Sequence, residues 1–150
     1  MKRDMDLVRK ILLYAEKHCD YSGVSSVPIQ FEDVDDPVVN FHVSLLHEAK
    51  FVLSYTEYQP DNPNNAWSIK TKTTIHSLTW HGYEFLDKIR DDKQWQRIKH
   101  MLSRTGDFSF ETVSRAASSL IADQLKQSVQ SCLTIVIAYL AGLLVKPFWK

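Results

Sequence analysis

The chain has 150 residues and a mass of 17.4 kDa, with 18 Lys and Arg balanced by 18 Asp and Glu, so its formal charge is zero. That length holds one compact domain plus an appendage, and an apolar fraction of 44% excludes global disorder. Zero net charge excludes a protein held on nucleic acid by bulk charge alone, and two distant cysteines, Cys19 and Cys132, exclude a disulfide framework and fit a reducing cytoplasm.

The charged opening MKRDMD is followed by an uncharged run of only five residues, ILLYA, which is not the pattern of a secretory signal. Over residues 4–19, Met5, Val8, Ile11, Leu12 and Ala15 recur at the spacing of one buried helical stripe, and Ser22-Gly23 offers a stop. VPIQF at 27–31 is a short strand candidate. The acidic run EDVDD then ends at Asp36-Pro37, where Asp36 can cap a helix and Pro37 can fill its first position. The inward side of that helix is expected to hold Val38, Val39, His42, Leu45, Leu46 and Ala49, and Asn40, Ser44 and His47 form a polar stripe.

Residues 51–58 and 67–78 are rich in aromatic and β-branched residues, and QPDNPNN between them favours turning, so a hairpin with a long loop is predicted. Thr79 can cap the next helix, which buries Tyr83, Phe85, Leu86 and Ile89 and continues or kinks into a segment with Trp95, Ile98 and Leu102 inward. TGDF at 105–108 breaks the chain. A last amphipathic helix from Ser109 is expected to bury Phe110, Val113, Ala117, Leu120 and Ile121.

Helix, short strand, helix, hairpin, helix is the order of an α+β, winged helix-turn-helix-like domain with C-terminal helices, although only one long helix plus a turn fits before the hairpin. The expected division is a winged-helix domain at 1–104, an amphipathic helix at 105–126 and a hydrophobic tail helix at 127–150. Three stretches, MKRDMDLVRKIL (1–12), NFHVSLLHEAKFV (40–52) and SLTWHGYEFLDKIRDDKQWQRIKH (77–100), resemble the bacterial and phage-associated domain-of-unknown-function family 2513. The resemblance covers roughly residues 1–127 and implies a small prokaryotic or prophage protein of winged-helix type with no established activity. Two departures stand out. The family usually has Gly after the helix-ending Glu-Ala pair, where this chain has Lys50, and a side chain in a left-handed cap costs about 1 kcal/mol. The tail from about Ser128 is longer and more apolar than the family ending.

For a winged helix the partner is double-stranded DNA. Asn40, Ser44 and His47 are the candidate base readers, since Asn suits adenine, and Lys70 and Lys72 on the second wing strand are the candidate phosphate contacts. Charge opposes this: Asp35, Asp36 and Glu48 outnumber Lys50 around the helix, and Glu57 and Asp61 balance the two wing lysines. The more basic stretch has Lys88, Arg90, Lys93, Arg97, Lys99 and Arg104 against Asp91 and Asp92. The bland alternative is a solvated helix face on a protein-interaction module.

An enzyme is not expected. Four glycines, at 23, 82, 106 and 142, form no phosphate loop or nucleophile elbow, and the six histidines lack zinc-ligand spacing with cysteine, so neither cofactor nor metal is expected. His42 on the apolar face reads as a histidine satisfied by a backbone acceptor. Asp36 with Glu48-Ala49-Lys50 matches a nuclease pattern superficially, but on a helix rather than on the strands such a metal site needs.

No charge lies between Lys126 and Lys146, and CLTIVIAYLAGLLV at 132–145 is nearly all apolar. Such a segment can tether a cytoplasmic domain to a membrane or form the centre of a homo-oligomer, so residues 127–150 are the expected membrane or self-association contact. The two functional readings are a non-enzymatic regulatory nucleic-acid-binding protein and a membrane-tethered interaction or sensing module.

Overall fold

Asp4 starts the first element. Its carboxylate accepts from the backbone N–H groups of Asp6 and Leu7 at 2.8 and 3.3 Å, capping α1 (Met5–His18). This computed structural model describes the backbone of residues 1–19, 27–62 and 65–144, and the side chains of that set outside 59–70 and 141–144. The expected stop at Ser22-Gly23 lies outside the described residues. The order continues with β1 (Val27–Pro28), α2 (Asp36–Glu48), β2 (Val52–Asn62), β3 (Asn65–Leu78), α3 (Trp80–Ile89), α4 (Asp92–Leu102) and α5 (Phe110–Leu144). The result is a mixed α+β protein with one antiparallel sheet of order β1-β3-β2. Two compact units emerge, Met1–Gln96 and Arg97–Lys150.

In the first unit the core is drawn from three helices and from the hairpin. Val8, Ile11, Leu12 and Ala15 of α1, Val39, Val43 and Leu46 of α2, Ile75 of β3, and Leu86 and Ile89 of α3 are fully covered. At about 1.5–3 kcal/mol for each large apolar side chain, their burial is the main driving force of this unit. Val43 joins the inward face of α2, whereas Val38, Leu45 and Ala49, expected there, are only half-buried.

Several elements differ from the sequence reading for local reasons. The first strand is two residues long because Pro28 carries no N–H to extend the ladder, and Phe31 then bridges to Val34 in a turn. α2 begins one residue earlier than expected, with Asp35 rather than Asp36 at the cap position, and Asp35 makes no side-chain capping bond. The hairpin strands run on into the expected long loop, pairing Gln59 with Lys70, Pro60 with Ile69 and Asn62 with Asn65, with an irregularity between Pro60 and Asn62. Pro60 is tolerated because β2 is an edge strand.

The segment after the hairpin breaks into two helices at Arg90-Asp91. The last carbonyls of α3 are taken by Arg9, whose guanidinium donates to Ile89 O at 2.7 Å and Arg90 O at 2.5 Å and pairs with Asp92 at 2.6 Å. Asp91 accepts from the Gln94 N–H at 2.7 Å and so opens α4. Trp95 is buried and its indole N–H donates to Asp6 at 2.6 Å.

In the second unit Ile98, Leu102, Val113, Ala116 and Ala117 are buried, and Gly106, at φ 69°, follows the end of α4. α5 is a single helix of 35 residues, about 52 Å long, running without a break through residues 126–127. Phe110 and Leu120 are half-buried and Ile121 is exposed, so its buried stripe is shorter than expected. Among the described residues no helix is long and apolar enough to cross a membrane. The expected tether at 127–150 is thus not supported by the described residues, in which Gln127, Ser128, Gln130 and Ser131 precede the apolar run and Thr134 lies within it.

The junction of α2, the sheet and α3 is built on unusual backbone. Lys50 has φ 59°, its N–H bonds to His47 O and the Phe51 N–H bonds to Leu46 O, both at 2.9 Å, which is the paired closure of a Schellman cap with lysine in the left-handed position. The carbonyl of Phe51 accepts from Thr79 N at 2.9 Å, and a Cβ built at Gly82 would collide with that same carbonyl oxygen. Replacing Lys50 by Gly is therefore expected to raise stability by about 1 kcal/mol, and Gly82→Ala to lower it by more than that, both read from urea denaturation midpoints.

Candidate nucleic-acid interface

The outward side of α2 faces the hairpin. Asn40 is half-buried, and its Nδ2 donates to the carbonyl oxygen of Thr71 at 3.2 Å and to Thr71 Oγ1 at 3.1 Å, clasping the middle of α2 to β3. Ser44 is exposed and returns its hydroxyl to Asn40 O at 3.0 Å. His47 is exposed as well, and its Nδ1 accepts from the Ser54 N–H of β2 at 3.3 Å. Thus two members of the polar stripe bind α2 to the two hairpin strands. The sequence reading did not include their partners, Thr71 and Ser54, because they lie 31 and 7 residues away and one is a backbone group.

Lys72 is exposed on β3 and stands opposite Glu57 of β2 in the strand register. The side chain of Lys70 lies outside the described residues, and its backbone is paired with Gln59. A shallow cleft of about 310 Å³ lies beside the Asn40–Thr71 clasp, bounded by Pro28 and Ile29, by Asp36 in the first turn of α2, and by Lys72 and Thr73. One carboxylate and one ammonium face it, so it has no strong field of either sign. On the rest of β2, Leu53, Tyr55 and Tyr58 are exposed, and period-2 alternation could have flagged the first two, which share a face.

Within the basic stretch from 88 to 104, Arg90 is held by carboxylates. Arg90 makes a two-pronged contact with Glu16 at 2.5 and 2.7 Å and a further one with Asp87 at 2.7 Å, which hold its guanidinium firmly protonated.

His42 is buried and satisfied on both nitrogens. Nδ1 lies 2.7 Å from Val38 O and Nε2 accepts from the Asp4 N–H at 2.8 Å, which fixes the neutral tautomer with its proton on Nδ1 and pins the cap of α1 to α2. Asp36 and Glu48 occupy the two ends of α2, about 18 Å apart along its axis, too far to share an ion. Among the described residues no three His, Cys, Asp or Glu come together as a metal site. Burial pushes the Cys19 thiol up, opposite to the direction that activates a nucleophile, and its Sγ lies 3.6 Å from Ile75 O.

Comparison with known sequences places this architecture. The model of the hypothetical protein family DUF2513 matches residues 2–107. An uncharacterised protein of Haemophilus influenzae is 33% identical over 126 residues, covering 83% of this chain and 99% of that protein. The chain belongs to the DUF2513 family. No solved structure matches it. The DUF2513 match takes in α1 to α4 with the whole sheet, and α5 begins beyond it.

Two measurements test the local assignments. His42→Ala is expected to cost about 2–4 kcal/mol, by leaving the Asp4 N–H unpaired and a cavity behind, as read from denaturant unfolding. In a cycle of Asn40→Ala and Thr71→Val, a coupling of about 0.5–1.5 kcal/mol is expected, and strictly additive losses would show that the bond to the Thr71 hydroxyl is not formed.

Proposed function

We propose that this DUF2513 chain is a non-enzymatic regulatory module of winged-helix type that contacts double-stranded DNA. The observation that carries this reading is the coupling of α2 to the hairpin. A helix clasped through Asn40 and His47 to a long two-stranded ribbon, on a sheet of order β1-β3-β2, presents helix and wing together as one rigid reader. In this reading Asn40 positions the helix, the exposed Ser44 and His47 face the groove, and Lys70 and Lys72 meet phosphates. Phosphate contact is the sequence-independent term, and a small number of lysines gives weak binding outside a cognate site.

The electrostatics set the scale. Glu57 opposite Lys72 and the acids Asp35, Asp36 and Glu48 around α2 oppose a polyanion, so affinity should be modest and steeply dependent on salt. A second reading, a protein-interaction module, is favoured by the edge strand β2, where Leu53, Tyr55 and Tyr58 stand exposed beside unpaired ladder positions.

Fluorescence anisotropy of a mixed-sequence duplex, titrated with the full chain as salt is raised, separates the two. The DNA reading expects dissociation constants of about 10⁻⁶ to 10⁻⁴ M at low salt, and a log–log salt slope that falls by about 2 in Lys70→Glu/Lys72→Glu. No binding at low salt, or binding unaltered by the double substitution, would overturn it in favour of the edge-strand reading.

A further inference from the structure

The described side chains in the second half of α5 are uncovered. Every described side chain from 121 to 140 is exposed. The apolar ones follow a three-four repeat, Ala122, Leu125, Val129, Cys132, Val136 and Tyr139, the a and d positions that make one seam along a supercoiled helix. Ile121, Leu133, Ile135 and Leu140 flank that seam, which makes it wide. The opposite side carries Asp123, Gln124, Gln127, Gln130, Ser131 and Thr134, and beyond residue 134 it carries Ile137 and Ala138. Leu125, Val129, Leu133, Ile135, Val136 and Leu140 are each 51–68% exposed, a degree ordinary for one surface residue but not for a contiguous stripe.

We infer that this seam is covered by α5 of other copies of the same chain, in a helical bundle. Four observations select that occupant. With the neighbouring Tyr139, Ile121 and Cys132, the stripe amounts to roughly 800 Å² of apolar surface at about 100 Å² per large side chain, which matches what one partner gives to a stable interface and exceeds the 300–600 Å² patch of a typical monomer. From Asp123 to Thr134 the outer side is polar, which suits a bundle in water, whereas a helix in a bilayer must be apolar all round. The seam has no charge between 127 and 140 with which to select an unlike partner, and identical apolar seams are self-complementary. The hydroxyl of Ser128, beside the seam, already bonds to the carbonyl of Gln124 at 2.9 Å, so covering the seam strands no donor there. The seam lies on a segment beyond the DUF2513 match, so self-association is a property of this chain that does not rest on DNA binding.

The test uses the full chain in detergent-free buffer. Light scattering and sedimentation at micromolar concentration should give one species at an integer multiple, two or more, of 17.4 kDa. Val129→Glu/Val136→Glu should weaken association by roughly 100-fold and return the mass to the monomer value, while Gln127→Glu/Gln130→Glu on the outer side should leave it unchanged. Cys132 lies near the middle of the seam, so in either helix orientation a short bismaleimide should join two copies in a Cys19→Ser background, and the seam double substitution should abolish that product. A monomeric mass for the wild type, a polydisperse aggregate, a mass indifferent to the seam substitutions, or co-flotation of monomers with phosphatidylcholine vesicles would overturn the inference.

Discussion

The carbonyl of Phe51 is the point on which the first unit turns. It follows a helix ended by a left-handed lysine, it precedes the strand that forms one edge of the sheet, and it accepts the backbone N–H of Thr79 at the foot of α3. Thr79 in turn accepts from Gly82 N and donates its hydroxyl to Lys50 O. Three elements therefore meet at one peptide, and the close approach is possible only because Gly82 has no side chain. Phe51 and Phe85 stack at 5.1 Å beside this junction. Moving α3 outward to admit a larger residue would break the Thr79 bond and open the base of the hairpin.

Long-range polar straps complete what apolar packing begins. Arg9 closes the end of α3 from 80 residues away, His42 closes the start of α1 from 38, and Trp95 returns its indole N–H to Asp6. The first two satisfy helix ends that would otherwise carry unpaired backbone groups, and the third pairs the buried indole, next to a core where an unpaired group costs about 1–3 kcal/mol. The ion pairs on the surface matter less to stability, because salt and solvent screen them.

The same economy governs α2. A stripe of Asn, Ser and His resembles a reading face when seen as a sequence, but in the fold Asn40 and His47 hold the helix to the hairpin, leaving Ser44 and one side of His47 outward. Any partner of this face meets a rigid helix–ribbon unit with little net charge, which limits affinity and places specificity in shape and hydrogen bonding.

Sequence alone determined the elements whose signals are local. The stripe of Val8, Ile11, Leu12 and Ala15 gave α1, Thr79 marked the start of α3, the β-branched runs gave the hairpin, and the family resemblance located the break with family habit at Lys50. His42 could be read as a core histidine, although its partner could not be named. What only the tertiary structure decided are the features set by distant partners: the break between α3 and α4, fixed by Arg9, the length of the hairpin, set by cross-strand pairing past Pro60, and the clasping role of Asn40, set by Thr71. Periodicity records which face of a segment is apolar, because that depends on spacing within the segment. It holds no record of which donor meets which acceptor across the chain, because that depends on where the chain returns.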